Sequence, residues 1–343
     1  MGIRLYREED TNEWDRYVAT SDHTTAYHQL GWKYVIERSF GHRTYYLVSE
    51  GEHGRIDGIL PLVHLKSFVF GSFYVSLPYF NYGGVCADRP ETTNALLQDA
   101  IRLTGEAGAT HLEIRECTPL VVGLPSKSEK VSMRLELPDS SEMLWNSFPS
   151  KLRSQIRKPQ KEGFSVKIGG KEELDSFYRV FARNMRQLGT PVYPKEFFQE
   201  IMNVFPRSTA ICVVREKHMP VAAGFLVGFK DTLEIPWASS LREYNRLAPN
   251  MLLYWSVLSF ASEQGYKVFD FGRSTPGEGT YHFKAQWGAT PVPLYWYYWM
   301  RDAGPLPEIN PRNRKYRIAI EMWKRLPLVI TQVVGPRIVR NIP

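Results

Sequence analysis

Apolar positions along this chain follow a helical period in some stretches and a strand period in others, and the order of those stretches occurs twice. Asp15–Thr20 and Trp32–Arg38 read as helical pieces, followed by a strand at Thr44–Ser49. A turn at Gly51–Gly54 leads to a second strand, Ile56–Leu65, as in a hairpin, and Tyr74–Leu77 is a third. Thr92–Glu106 carries Ala95, Leu96, Ala100 and Leu103 on one helical face and stops at Gly108; His111–Arg115 is the next strand.

The second pass begins at Asp175–Leu188, a helix with Phe177, Val180, Phe181 and Leu188 spaced for burial, followed by a short helix at Lys195–Phe205. Ala210–Arg215 and Val221–Phe229 form a hairpin around Lys217–Pro220, and Thr232–Ser239 is another strand. Pro249–Gln264 is a helix with proline in its first turn and Gly265 just beyond its end. Val268–Phe271 and Pro293–Trp299 are expected to complete the second sheet. The pattern predicts an α+β chain with a duplicated unit. Seams near Pro138–Ser150 and Pro305-Leu306-Pro307 divide it into 1–140, 141–302 and a tail, 303–343.

Composition narrows this picture. At 343 residues, two domains are the natural expectation. Nineteen Tyr, 18 Phe and 9 Trp suit either broad clefts or aromatic cores. Cys86, Cys117 and Cys212 are scattered and odd in number, which argues against both a disulfide framework and a structural zinc site. The first residues lack the apolar core of a signal peptide and no apolar run reaches transmembrane length, so the chain is expected in the cytosol. The net charge is +7, and the tail 303–343 alone holds eight Lys/Arg (Arg312, Arg314, Lys315, Arg317, Lys324, Arg325, Arg337, Arg340) against Glu308 and Glu321. The rest of the chain is nearly neutral, so the overall charge says little about a substrate.

Two stretches carry candidate chemistry. In Asp270 through Lys284 a strand runs into a loop holding three glycines (Gly272, Gly277, Gly279) and then into a short helix at about Thr280–Trp287, where Tyr281 and Lys284 share a face and Phe283 turns inward. A lysine there either stabilises a developing oxyanion or is a surface residue. Glu278 and Asp270 are candidate proton acceptors, with Asp270 alternatively bracing Arg273; His282 is either a rim residue or a base. In Ser150–Lys158, Leu152 and Ile156 face a core while Arg153 and Arg157 share the adjacent face, as in an anion clamp or a solvated basic helix. No H-x-x-x-H or H-E-x-x-H, G-x-S-x-G, P-loop or G-x-G-x-x-G occurs, which argues against catalytic metal, a serine-hydrolase elbow and these nucleotide folds.

Taken with Gln29-Leu30-Gly31-Trp32, Ser76-Leu77-Pro78, Asn81-Tyr82-Gly83-Gly84, Pro236–Ser240 and Asn250–Trp255, these stretches resemble the FemAB family of peptidyltransferases. The resemblance is nearest to FemAB-related proteins of exosortase (PEP-CTERM) exopolysaccharide loci. It implies two tandem GNAT-like lobes with a cleft between them, no metal and no tightly bound cofactor. It further implies an aminoacyl-tRNA or acyl-CoA donor and a nucleotide- or lipid-linked glycan precursor as acceptor. Phe283 and Lys284 then match the family's transfer-site pair; Trp32 and Lys33 match its sugar-nucleotide cluster. Asn81, Tyr82, Arg153, Arg157, Asn250, Arg273 and Tyr281 become substrate-binding candidates, beside Lys284, Phe283 and Glu278 as catalytic ones. The long coiled-coil arm of some relatives is absent, as is the usual coenzyme A loop; Arg186–Thr190 matches that loop only in part. Competing expectations are an acyl-CoA-dependent N-acetyltransferase and a non-catalytic glycan-binding assembly protein. The basic amphipathic tail is expected either on the first lobe or on the inner membrane surface.

Overall fold

A computed structural model describes residues 2–51, 54–67, 71–302, 304–307 and 314–343, excepting the side chains of 314–316. Glu308, Arg312, the side chains of Arg314 and Lys315, and part of the Gly51–Gly54 turn lie outside the described residues. The chain forms two compact units: Met1–Val131 with Pro293–Glu308 and Arg340–Pro343, and Ser132–Val292 with Ile309–Val339.

The first unit opens with β1 (Gly2–Leu5), α1 (Thr11–Thr20) and α2 (Gly31–Phe40). Next come β2 (Arg43–Thr44), β3 (Leu47–Glu50), β4 (Ile56–Leu60), β5 (Val63–Ser67), β6 (Gly71–Val75) and β7 (Cys86–Ala87). Then α3 (Pro90–Glu106) leads to β8 (His111–Glu116), and β9 (Ser126–Glu136) contains the division between the units. Both strands expected to be continuous here are split. β1, β3, β4 and β7 pair in one sheet, whereas β2, β5, β6 and β8 follow one another in another. The second split falls at Pro61, which has no N–H to donate to a ladder. Helix α3 starts with proline and buries Thr92, Leu96, Leu97 and Ala100. It connects β6 to β8, which pair in parallel, and Leu96 and Ala100 join Leu60, Leu62, Tyr74, Leu112 and Ile114 in the core.

The second unit begins with α4 (Ser141–Ser147), α5 (Ser150–Lys161), β10 (Phe164–Gly169), α6 (Leu174–Leu188) and α7 (Lys195–Val204). It continues through β11 (Thr209–Glu216), β12 (Met219–Phe229), β13 (Thr232–Ser240), α8 (Pro249–Glu263), β14 (Val268–Ser274) and α9 (Gly279–Ala285). The strands follow the order β10-β11-β12-β13-β14. All are antiparallel except β13 and β14, which α8 connects in parallel. The hairpin–strand–helix–parallel-strand plan thus occurs in both units. Aromatic abundance here is largely a core property: Phe198 meets Trp237 edge-on at 5.1 Å, with Phe177 and Phe225 beside it. Leu188, expected on the buried face of α6, is exposed.

The strand expected to finish the second sheet belongs instead to the first unit. In β15 (Thr290–Met300), Tyr295–Met300 pair antiparallel with Glu116–His111 of β8. Trp296 donates its indole N–H to Asn81 O at 3.1 Å and receives the Arg115 guanidinium 4.2 Å from its ring. The tail forms α10 (Arg314–Arg325) and α11 (Leu328–Val339), both packed on α6. Gly189 leaves room for Ile320 and Gly335 for Val192, while Arg186 Nε donates to Leu326 O at 2.5 Å. Of the tail, the described residues 304–307 and Arg340–Pro343 belong to the first unit, where His42 and Tyr79 donate to Arg340 O at 2.8 and 2.7 Å.

One buried acid fixes the loop between β6 and β7. Glu116 Oε1 accepts the Val85 N–H at 2.6 Å, and a Cβ on Gly84 would stand 2.0 Å from that oxygen. Burial pushes the Glu116 carboxyl up from 4.5 to about 8, against the Val85 hydrogen bond. The folded state therefore favours the protonated acid: its contribution is full below pH 4.5 and fades as pH rises through about 8. Melting temperature should fall over that window, with a slope of at most about 1.4 kcal/mol per pH unit from this group. Glu116→Gln should flatten that part of a thermal-unfolding pH series; an unchanged slope would show that Glu116 does not titrate there.

Candidate functional site around Lys284

The site in the second unit is built where β14 bends and α9 begins. Gly272 adopts a left-handed backbone (φ 75°), which glycine tolerates at little cost. Asp270, fully buried, pins this bend by accepting the Gly272 N–H at 2.7 Å, the Ser132 hydroxyl and Arg134 Nε at 3.0 Å. The carbonyls of Gly272 and Arg273 then point to Lys284, whose Nζ donates to each at 2.9 Å.

Lys284 is only 8% exposed. Burial lowers its pKa to about 8, the carboxylates of Asp270 and Glu234 oppose that shift, and Arg273 adds to it. An ammonium has three N–H donors, so one remains beyond the two held by backbone. The arrangement is a positioned cation that loses its proton at a lower pH than an ordinary lysine.

The helix face differs from the expected one. Lys284 is the buried member of α9, Phe283 and Tyr281 are half-buried, and His282 is exposed. Phe283 packs inward only in part: it lies edge-on to the buried Tyr254 at 5.1 Å, and Tyr254 stacks on Phe271 at 5.5 Å. Burial pushes the Tyr254 hydroxyl pKa upward. Trp287, one turn beyond Phe283, is buried, and its indole N–H has no hydrogen-bond partner among the described residues; the same holds for the Ser274 hydroxyl. Such orphaned groups cost about 1–3 kcal/mol each, so they are natural contacts for a bound polar molecule. Glu278 and Arg273 are exposed, and Asn250 is half-buried one turn before Tyr254. Asp270, with three donors on its carboxylate and no exposure, is a brace for the bend rather than an open proton acceptor.

The basic helix connects to this site through aromatic packing. Leu152 and Ile156 are buried as the spacing predicts. Arg157 is exposed and lies 5.2 Å above the Trp145 ring; Arg153 is half-buried. Trp145 packs on Trp255 at 4.8 Å, Phe148 lies 6.0 Å from Trp255, and Phe148 meets Trp287 edge-on at 5.6 Å.

Four candidates belong to the first unit, and two of them have packing roles. Trp32 has no exposed surface: its N–H donates to Ala26 O at 2.7 Å and its ring packs 4.5 Å from Phe80. It is core, not a ligand contact. Tyr82 is likewise buried, 5.2 Å from Tyr27. Lys33 bonds both oxygens of Glu37 at 3.0 Å, and Asn81 is half-buried. Sequence reasoning did not single out Ser132, Arg134, Tyr254 or Trp287; the i,i+4 steps Asn250–Tyr254 and Phe283–Trp287 were the available signal.

Residues 146–285, which include Asp270, the Gly272 bend and Lys284, match the acetyltransferase (GNAT) domain family. A UDP-N-acetylmuramoylpentapeptide-lysine N(6)-alanyltransferase of Weissella viridescens is 24% identical over 148 residues, 42% of this chain and 44% of that protein. The resemblance to the FemAB family is borne out. The chain thus matches less than half the length of that curated relative. The fold of the crystal structure of FemX is similar (TM-score 0.66, 15% identity, 87% of this chain and 97% of that one). So is a tandem GNAT protein from the clavulanic acid biosynthesis pathway (TM-score 0.53, 13% identity, 89% and 100%). Both units therefore belong to a tandem GNAT-like architecture.

The depressed Lys284 pKa has a thermodynamic signature. Wild type should lose stability as pH falls from 10.5 to 8, because the unfolded chain then takes up a proton on this lysine that the buried amine of the fold does not. Lys284→Met should gain on wild type across that window and hold a constant offset below it. A difference between the two melting curves that is independent of pH would rule out the buried, shifted amine.

Proposed function

We propose that this chain is an acyl- or aminoacyl-transferase that acylates an amine of a cell-surface glycan precursor on the cytoplasmic side, before export. The observation that carries this reading is the buried Lys284 ammonium held on two carbonyls at the β14–α9 bend. The GNAT match over this segment and the Fem-type relative support transfer chemistry there.

In the proposed step, the neutral acceptor amine attacks the donor carbonyl, forming a C–N bond and a tetrahedral oxyanion. The third N–H of Lys284 donates to that oxygen, where negative charge grows towards the transition state. Collapse breaks the bond to the donor's leaving oxygen or sulfur. The amine proton passes to a carboxylate, for which exposed Glu278 is the candidate, and the leaving group is protonated from solvent. Phe283, packed on Tyr254, orients the Lys284 helix. Arg153 and Arg157 are candidates for a phosphate or carboxylate on the substrate. Asn250, Arg273 and Tyr281 complete the proposed binding set, with Lys33 and Asn81 in the first unit.

Aminoacyl-tRNA is the leading donor, as the Fem-type relative suggests, and acyl-CoA the rival. The acceptor is a nucleotide- or lipid-linked precursor, of exopolysaccharide if the PEP-CTERM resemblance extends to function and of peptidoglycan otherwise. Melting curves with charged tRNA and with acetyl-CoA separate the donors, because a ligand of the native state raises the melting temperature. Mass spectrometry of surface glycan from a deletion strain identifies the acceptor.

Lys284→Met should lower kcat by about 10²–10³-fold while leaving substrate affinity little changed. Because the ammonium is the working form, wild-type kcat should decline as pH rises through about 8. An increase there with no decline would make the neutral amine the active form, acting as a base. Arg153→Gln with Arg157→Gln should weaken substrate binding and leave folding nearly unchanged, since Arg157 is exposed, Arg153 is only half-buried, and charges that reach solvent contribute little to stability. Unfolding of that double variant would assign the pair a structural role.

A further inference from the structure

The side of α10 and α11 turned away from α6 is an apolar surface rimmed by positive charge. On α10, Ile318 and Met322 are one turn apart and 53% and 65% exposed; on α11, Val329, Ile330 and Val333 are 70%, 43% and 55% exposed. Half of the strongly exposed large hydrophobic residues described in the chain fall on these two helices. Ile318 and Met322 line a shallow hollow of about 260 Å³ with Arg317, Glu321 and Arg325. Across residues 317–339 the charges are Arg317, Lys324, Arg325 and Arg337 against Glu321 alone, and Glu321 is already paired with Lys324 at 2.6 Å.

We propose that this surface docks the protein on an anionic lipid bilayer, with the aliphatic side chains in the acyl boundary and the arginines among headgroup phosphates. Three observations favour that occupant. Aliphatic side chains at one-turn spacing with cationic neighbours form an interfacial amphipathic pattern. A second copy meeting the same patch would bring like charges together, with one acid per copy to offset them. Among the described residues no helix is long and apolar enough to cross a membrane, so the contact lies on the surface. The opposite sides of the helices are committed: Thr331, Gly335 and Val339 are buried, and Ile320 fills the space left by Gly189. The surface is separate from the Lys284 site, and this proposal does not rest on the transfer reaction.

Sedimentation with vesicles tests it. At about 50 mM salt the full chain should bind equimolar phosphatidylglycerol–phosphatidylcholine vesicles, at least about tenfold more strongly than pure phosphatidylcholine, and lose most of that advantage at about 300 mM. Arg317→Gln with Arg325→Gln should weaken binding to the anionic vesicles by about 25-fold, about fivefold per charge. Ile318→Asp with Val333→Asp should weaken it by more than about tenfold. Melting temperatures should stay near wild type because all four side chains are exposed; if the Asp pair unfolds, Ile318→Ser with Val333→Thr replaces it. No binding to anionic vesicles at low salt, or binding unaffected by these substitutions in folded protein, overturns the proposal. So does light scattering that shows a dimer dissociated by the same substitutions.

Discussion

A buried ammonium needs partners, and the second unit is arranged around supplying them to Lys284. Removing a charged amine from water is costly unless it is hydrogen-bonded and faces opposite charge. The Gly272 and Arg273 carbonyls provide the hydrogen bonds, and they converge because Gly272 turns β14 into a left-handed bend. Asp270 holds that bend through the Gly272 N–H and adds a negative field. It is held in turn by Ser132 and Arg134 of β9. The balance is incomplete, which is why the lysine pKa settles near 8 instead of its ordinary 10.5. A cation that is only partly compensated by fixed groups is the kind that gains most when an oxyanion forms beside it.

The two units solve a similar burial problem differently. In each, a helix connects two parallel strands, and the third residue of the later strand is a buried acid: Glu113 in β8, Asp270 in β14. Glu113 is matched within its own strand by Arg115, at 2.6 Å, whose other bonds run to Phe80 O and whose plane rests on Trp296. Arg115 spends Nε and Nη2 on Glu113 and Nη1 on Phe80 O. Asp270 instead serves a backbone bend next to an amine with a donor to spare. The same architecture therefore carries a sealed ion pair in one unit and a reactive-looking cation in the other.

Local periodicity made most elements legible, because amphipathic helices such as α3 and α6 and hairpins such as β11–β12 are encoded in short windows. What it could not reveal was pairing. β15 has the alternation of a strand, but nothing local says that Tyr295–Met300 lie on β8 rather than in the second sheet. The Lys284 segment was found through its residue types, yet spacing predicted only a shared face with Tyr281. Its burial follows from carbonyls twelve and eleven residues earlier in the chain. Trp32 failed for the opposite reason: it was placed by its match to the family's sugar-nucleotide cluster, but its ring has no exposed surface and its indole N–H is spent on Ala26 O. Exposure of Leu188 was equally hidden, since it lies at the last position of α6, where the helix face ends at Gly189.

The aromatic wall explains how two segments far apart in sequence are held to one geometry. Arg157 lies over Trp145, Trp145 leans on Trp255, Phe148 touches both Trp255 and Trp287, and Trp287 follows Lys284 by one helical turn. Trp255 neighbours Tyr254 in α8, and Tyr254 carries Phe283. Large planar side chains pack in few arrangements and resist displacement. Trp145 of α4 and Phe148 just after it therefore connect Arg157 of α5 with Trp287, just beyond α9, through direct ring contacts. Arg157 is exposed yet its guanidinium is positioned by the ring beneath it, and Lys284 is buried yet keeps one donor. The basic helix and the lysine segment thus meet the same cluster of aromatic rings.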